Sequence, residues 1–283
     1  MDGWTVPGAP DGSPGNENDW VVGTVADVPT SPGTFAQGSF ARQSEIISFL
    51  EESFGPYPFS TAGGIVDDVE GLGFALETQT RPVYARDFFT DPISSDAVFV
   101  HEIAHQWYGD SLALARWQDI WLNEGFATYA EWLWSEREGL GTAQEVFDFW
   151  YELIPPDDGF WSLTIGDPGP DNLFDGAVYI RGAMTLQQLR VAVGDEDFFA
   201  ILETWATDNA GENVTTPEFI ALAESISGQQ LDDLFNAWLF TPGQPALDAA
   251  ARVAVAATAG ATPAVARSQI VRFNQGSAVA AWK

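Results

Sequence analysis

Apolar residues recur at helical spacing through most of the chain, and the exceptions mark out its organisation. Ile46, Ile47, Leu50 and Phe54 share one side of a helix predicted over residues 43–54, which Gly55-Pro56 ends. Two strand-like runs follow at 64–69 and 74–80, the second leaving through Arg81-Pro82 as an edge strand would. From Ser94 onward the period is almost wholly helical. Ser94 or Ser95 caps a helix that runs to about residue 107 with Gly109 closing it, and another helix covers roughly 123–138. Thr142 and Glu145 make a capping box for the next. A loop rich in Asp, Pro and Gly fills 155–176, before helices at about 177–193, 196–208, 217–227 and 231–240. Pro217 takes a first-turn position and Gly228 lies just past an end. Trp117, Trp121, Trp132 and Trp134 fall at helical spacing and read as core.

Two stretches stand outside this pattern. Residues 1–40 are dominated by Gly, Pro, Ser, Asp and Asn without a sustained period and read as a linker or irregular segment. Residues 246–283 are an Ala-rich carboxy-terminal tail to which no role is assigned. Between them, 41–245 reads as one folded domain.

Composition narrows the class. A chain of 283 residues that is 46% hydrophobic, with 12 Trp and 20 Phe, buries a substantial core and is not a disordered protein. With no cysteine, it has neither a disulfide framework nor a thiolate metal site. Against 41 acidic residues stand 11 basic ones, giving a formal charge of −30 that repels phosphate backbones and argues against nucleic acid as a partner. That charge reads as a solvated, salt-adapted surface. No run of apolar residues is long enough for a membrane segment, and Met1 to Pro10 lack the basic and apolar regions of a signal peptide. Secretion and a cytoplasmic location both stay open, as does oligomeric state.

The chemistry concentrates in His101-Glu102-Ile103-Ala104-His105, which holds the only two histidines of the chain. Two imidazoles four residues apart on a helix share a face and can take two corners of a zinc tetrahedron. Glu102 projects beside that face, where a carboxylate takes a proton from the attacking water and passes it to the leaving amine. The alternative is a pair of hydrogen-bonded core histidines. A two-histidine site needs a third protein ligand, and Glu124, 19 residues after His105 at the start of the next helix, is placed to supply it. A glutamate there could instead serve the helix dipole; the spacing favours the metal.

HEIAHQWYGD followed by DIWLNEGFATYAEW resembles the aminopeptidase N family of gluzincin zinc metallopeptidases, which includes leukotriene hydrolase; the match runs from about residue 44 to 245. The resemblance implies an α+β, mostly helical, thermolysin-like catalytic domain with a small mixed sheet. It also implies one zinc ion held by His101, His105 and Glu124, Glu102 as general base, and removal of single residues from peptides with a free amino end. Phe74-Ala75-Leu76-Glu77-Thr78 is similar to the family's Gly-x-Met-Glu-Asn strand, so Glu77 and the backbone at Ala75 are implied to bind substrate, Glu77 through the α-ammonium. Phe74 stands where the family usually has Gly. Val178-Tyr179-Ile180-Arg181-Gly182-Ala183 is similar to its Tyr-x-Lys-Gly-Ala segment, with Arg for Lys, which implies that Tyr179 donates to the oxyanion. Family members carry an amino-terminal β-rich domain, of which the roughly forty preceding residues have no counterpart, and a larger carboxy-terminal helical domain. A zinc endopeptidase, a leukotriene-hydrolase-like epoxide hydrolase and a truncated zinc-binding module of little activity are the alternatives. Asp157, Asp158, Asp167, Asp171 and Asp175 lack an EF-hand spacing and read as a solvated loop, and Asn213-Val214-Thr215 fits a glycosylation acceptor only as a short, common pattern.

A surface at −30 repels itself, and salt screens that repulsion over about 8 Å at physiological ionic strength. The melting temperature should therefore rise between low and molar sodium chloride; a flat or falling curve removes the salt-adaptation reading.

Overall fold

The computed structural model describes residues 32–67, 69, 72–247 and 262–276. Helices α1 (Pro32–Ala41) and α2 (Gln43–Phe54) lead into a three-stranded sheet of β1 (Ile65–Asp67), β2 (Ala75–Leu76) and β3 (Val83–Ala85). The strand order is β1-β3-β2, with Ile65 opposite Val83 in a parallel pair and Ala75 opposite Tyr84 in an antiparallel one. The remainder is α3 (Pro92–Ala104), α4 (Trp121–Arg137), α5 (Ala143–Leu153), α6 (Gly176–Val193), α7 (Asp195–Asp208), α8 (Thr216–Ser227), α9 (Asp232–Phe235) and α10 (Ala264–Gly276). A short parallel pair, β4 (Ala113–Leu114) with β5 (Asn213–Val214), joins the α3–α4 connection to the α7–α8 one. This is the mostly helical α+β architecture with a small mixed sheet that the sequence implies.

The differences from the sequence reading are local and physical. Pro32–Ala41 is helical although residues 1–40 read as irregular; the rest of that segment lies outside the described residues, as do 248–261 and 277–283 of the tail. The run after Arg81-Pro82 does not leave the sheet but returns as its central strand, a three-residue segment too short to show a period. Helix α3 is capped by Asp91, whose side chain accepts from the amides of Ile93 and Ser94, with Pro92 in the first turn; it ends at Ala104, before residue 107. Trp121, Trp132 and Trp134 are core, but Trp117 is 65% exposed on a 3-10 turn ahead of α4, because the helical spacing it was read from does not extend that far. Residues Asn236–Phe240 form a π-helical turn rather than continuing α9. The capping box of Thr142 and Glu145 and the left-handed Gly228 are as expected.

What positions the site is the stacking of α3, α4 and α6. Helix α4 is buried from Trp121 to Ser135, so its neighbours cover it on every side. It crosses α6 at Gly125 and Gly182: a Cβ built on Gly182 would lie 2.8 Å from the Cα of Gly125, and one on Gly125 would lie 2.9 Å from the Cα of Gly182. Backbone therefore touches backbone one residue from Glu124 and three from Tyr179. Arg181, fully buried, donates to the carbonyls of Trp161, Leu163, Ala237 and Thr241, tying the 155–176 loop and the π turn to the start of α6. Burial without an acid partner pushes its guanidinium down to about 10.

Because neither backbone at the crossing can yield as a flexible side chain would, Gly182→Ala should destabilise the domain by about 1–3 kcal/mol. Gly38→Ala, in helix α1 with open space around the added methyl, should be neutral to stabilising by up to about 1 kcal/mol. Urea midpoints of the two variants check this, and equal effects would show that the crossing has slack.

Candidate metal centre

Helix α3 delivers His101 and His105 one turn apart, and its last turn then unravels in a way that serves the second of them. After Ala104 the chain tightens so that Tyr108 and Gly109 fold back, Gly109 at a φ of 142° that favours glycine. The carbonyl of Tyr108 then sits 3.0 Å from His105 Nδ1. His101 Nδ1 lies 2.8 Å from Glu131 Oε1. With both Nδ1 atoms facing acceptors, each ring carries its proton there and turns Nε2 inward.

The two Nε2 atoms converge on one oxygen. Glu124 Oε2 is 3.3 Å from His101 Nε2 and 3.3 Å from His105 Nε2, and all three residues are buried. Tetrahedral ligands at zinc bond lengths of about 2.0–2.1 Å stand roughly 3.3 Å from one another, so this spacing suits a metal better than direct hydrogen bonds. The three ligand atoms lie within 4.8 Å of one another and form the one such grouping of His, Cys, Asp or Glu found among the described residues. The Asp residues of the 155–176 loop do not make another; Asp158 and Asp175 instead accept from backbone amides at helix starts.

The electrostatics point the same way. Burial alone would strip the proton from both imidazoles, yet the carboxylates around them outweigh it: His101 is raised by its bonds to Glu124 and Glu131, and His105 well raised by Glu124 above all. Burial pushes the Glu124 carboxyl up, but the two imidazoles pull it down to about 2. The nest thus calls for positive charge, which a dication supplies while leaving both rings neutral. Glu102 is buried beside the histidines, and burial lifts its carboxyl to about 7 against the pull of His101 and His105.

Tyr179 and Glu77 lie near this centre. Tyr179, on the first turn of α6, stacks its ring on that of His101 with centroids 5.9 Å apart and planes 21° from parallel. Burial and the charges of Glu124, Glu102 and Glu77 hold its phenol well above the usual range, so it stays a donor. Glu77 is half-buried immediately past β2, and its charge is felt at Glu102, His105, Asp110 and Tyr179. Ala75 pairs with Tyr84 in the sheet.

Several residues that sequence reasoning passed over complete the site. Gln106 donates to the Glu77 carbonyl at 2.9 Å and to Asp110 Oδ2 at 2.8 Å, and accepts from the amide of Thr80 at 2.7 Å. It therefore joins the end of α3 to the Glu77 segment and supports Thr80, a non-glycine residue at a φ of 62°. Burial and Glu77 push the Asp110 carboxyl up to about 6. Glu131, the partner of His101, carries a readable signal: it lies two helical turns after Glu124 on the same helix face, with only aromatic and small residues between them.

One zinc ion per chain is expected, with Glu102→Gln retaining it and His105→Ala losing it. Elemental analysis of the purified variants checks this; full zinc in His105→Ala, or none in Glu102→Gln, contradicts the arrangement.

Comparison with known proteins agrees with this geometry. The chain is 27% identical over 241 residues to probable aminopeptidase 2 of Sulfurisphaera tokodaii, which covers 77% of this chain and 30% of that protein. It is 31% identical over 159 residues to aminopeptidase N of Streptomyces lividans, covering 52% and 18%. Among solved structures, an M1 zinc metallopeptidase from Deinococcus radiodurans bound to the peptide Tyr-Ser-Ala superposes with a TM-score of 0.63 at 29% identity, over 79% of this chain and 48% of that one. A two-domain M1 zinc metallopeptidase bound to L-tryptophan gives 0.62 at 32% identity, over 72% and 45%. The chain thus spans less than half the length of each of these proteins. The peptidase family M1 domain model matches residues 87–238, the stretch that carries both histidines, Glu102, Glu124, Glu131 and Tyr179, and the chain belongs to that family.

Proposed function

We propose that the protein is a zinc-dependent aminopeptidase that hydrolyses the first peptide bond of peptides with a free amino end. The observation that carries this reading is the convergence of a three-ligand metal nest, a buried carboxyl, a protonated phenol and a second carboxylate on one site. When bound, a zinc ion supplies Lewis acidity to polarise the scissile carbonyl and activate water.

The side chains divide the remaining work. Glu102, a carboxylate buried beside the two histidines, takes a proton from the attacking water and returns it to the departing amine. Tyr179 donates a hydrogen bond to the oxygen on which charge develops, an interaction that strengthens only in the transition state. Glu77 meets the substrate's α-ammonium, and the β2 backbone at Ala75 aligns the chain. A fixed anion beside the metal site sets the register so that one peptide bond reaches the reactive position. Gln106, just past the end of the ligand helix, holds the Glu77 segment in place.

The residues 41–245 are proposed as the catalytic domain. Among the described residues no helix is long and apolar enough to cross a membrane. An endopeptidase would use the same metal nest without needing Glu77, so the free amine separates the two readings.

Turnover of an aminoacyl amide should fall sharply when its amine is acetylated. A charge-assisted hydrogen bond to the ammonium is worth roughly 1.5–3 kcal/mol, so Glu77→Ala should lower kcat/KM on the free substrate by about tenfold to a few hundredfold. The acetylated substrate never makes that contact and should lose little, which a four-way comparison of enzyme and substrate variants measures directly. Equal rates on free and blocked peptides, with cleavage at internal bonds, would move the protein to the endopeptidases.

A further inference from the structure

Helix α10 lies outside the stretch matched to the family, yet two of its side chains reach the metal centre. Arg272 places Nη1 2.9 Å from Glu131 Oε1 and Nη2 2.6 Å from Oε2, a two-pronged bond that fixes the plane of the carboxylate. Gln269, fully buried, donates from Nε2 to Glu131 Oε2 at 3.0 Å. Its own Oε1 accepts from Trp150 Nε1 at 3.0 Å and Trp132 Nε1 at 3.4 Å. An indole can only donate, so the two tryptophans determine which way the Gln269 amide faces and leave its NH2 for Glu131.

Glu131 is 1% exposed, and its neighbours account for both of its oxygens. Oε1 takes His101 Nδ1 and one arm of Arg272, while Oε2 takes the other arm and Gln269. A carboxylate held this way cannot rotate, and the imidazole bonded to it cannot rotate either. The ring of His101 is thereby kept with its proton on Nδ1 and its Nε2 directed at Glu124 Oε2. Without the guanidinium fork, Glu131 would be a buried anion with one flank open and a free torsion, and the His101 ring would follow it.

We propose that Arg272, braced by Gln269, is a positioning residue for the metal site. The carboxy-terminal helix orients Glu131, Glu131 orients His101, and zinc affinity depends on Gln269 and Arg272, 168 and 171 positions after that ligand. The inference rests on the assignment of His101, His105 and Glu124 as the ligands. It gives part of the Ala-rich tail a role, since α10 supplies both side chains that hold Glu131.

The test is equilibrium competition for zinc against a chromophoric chelator, on the full chain, with the melting temperature of the metal-free form read alongside. Arg272→Met should weaken zinc binding by about tenfold to a hundredfold, the usual effect of removing support behind a metal-bound histidine. Arg272→Lys keeps a charge but loses the fork and should fall between. In the Glu131→Gln background, Arg272→Met should cost little further zinc affinity, because the link it acts through is already broken. A helix that merely braces the fold would lower the melting temperature of the metal-free and zinc-loaded forms alike and leave zinc affinity unchanged, and that result would overturn the inference. If Arg272→Met does not fold, Arg272→Lys decides on the same measurement, with unchanged affinity again overturning it. Failure of the wild-type chain to hold zinc would instead overturn the ligand assignment, and this inference with it.

Discussion

An imidazole gripped between two buried carboxylates is the arrangement around which the rest of this structure is organised. His101 meets Glu124 through Nε2 and Glu131 through Nδ1, and both acids come from the same face of α4. A carboxylate removed from water is costly unless hydrogen-bonded and balanced by positive charge. Glu131 meets that requirement with Arg272 and Gln269; Glu124 meets it with two imidazoles and the cation that its geometry suits. Burial holds Glu131 apart from solvent while the Arg272 charge and the His101 bond bring its carboxyl below the usual range, so it remains an acceptor. The two halves of the site are thus stabilised by different means, one by protein and one by metal.

The distances among the working groups follow from helix packing rather than from any loop. Helices α3 and α4 lie close enough for Glu124 to touch both histidines, and the glycine crossing of α4 with α6 brings Tyr179 over His101. A site carried on rigid elements holds its groups more precisely than one carried on loops, which matters where a misplacement of an ångström lowers the rate severely. Arg181 serves the same end from below: as a buried cation solvated by four carbonyls, it anchors the loop that leads into α6 two residues from Tyr179. The family's usual lysine has a single ammonium with three donors, whereas the guanidinium spans four acceptors on two separate segments.

Glu77, unlike the metal-nest residues and Tyr179, is not carried by a helix. It sits just past a two-residue strand at the edge of the small sheet, and the backbone after it turns through Thr80 in a left-handed conformation. Gln106, just past the metal-binding end of α3, couples the two through a bond to the Glu77 carbonyl and one from the Thr80 amide, and is itself held by Asp110. The Glu77 segment and the metal nest are therefore tied together, although strand β3 lies between Glu77 and the ligand helix in the sequence.

The metal nest was legible in the sequence because its signals are local. Two histidines four apart depend only on helix pitch, and the chain has no other histidine to mislead; Glu124 follows from the length of one connection. Helix boundaries read from caps held at Thr142 and Gly228, where the deciding hydrogen bonds fall within a few residues. The central strand Val83–Ala85 was not legible, since a three-residue run has no period and takes its identity from the strands on either side. Nor were the Gly125–Gly182 contact and the Arg272–Glu131–His101 chain, which join residues far apart in sequence. Their meaning lies in which backbones touch and which buried charges meet, and those are settled only when the hydrophobic faces of α4, α6 and α10 have packed against their neighbours. The sequence by itself determined the chemistry of the ligands; tertiary packing decided what holds them, because burying a charge makes its partner a requirement that no local pattern encodes.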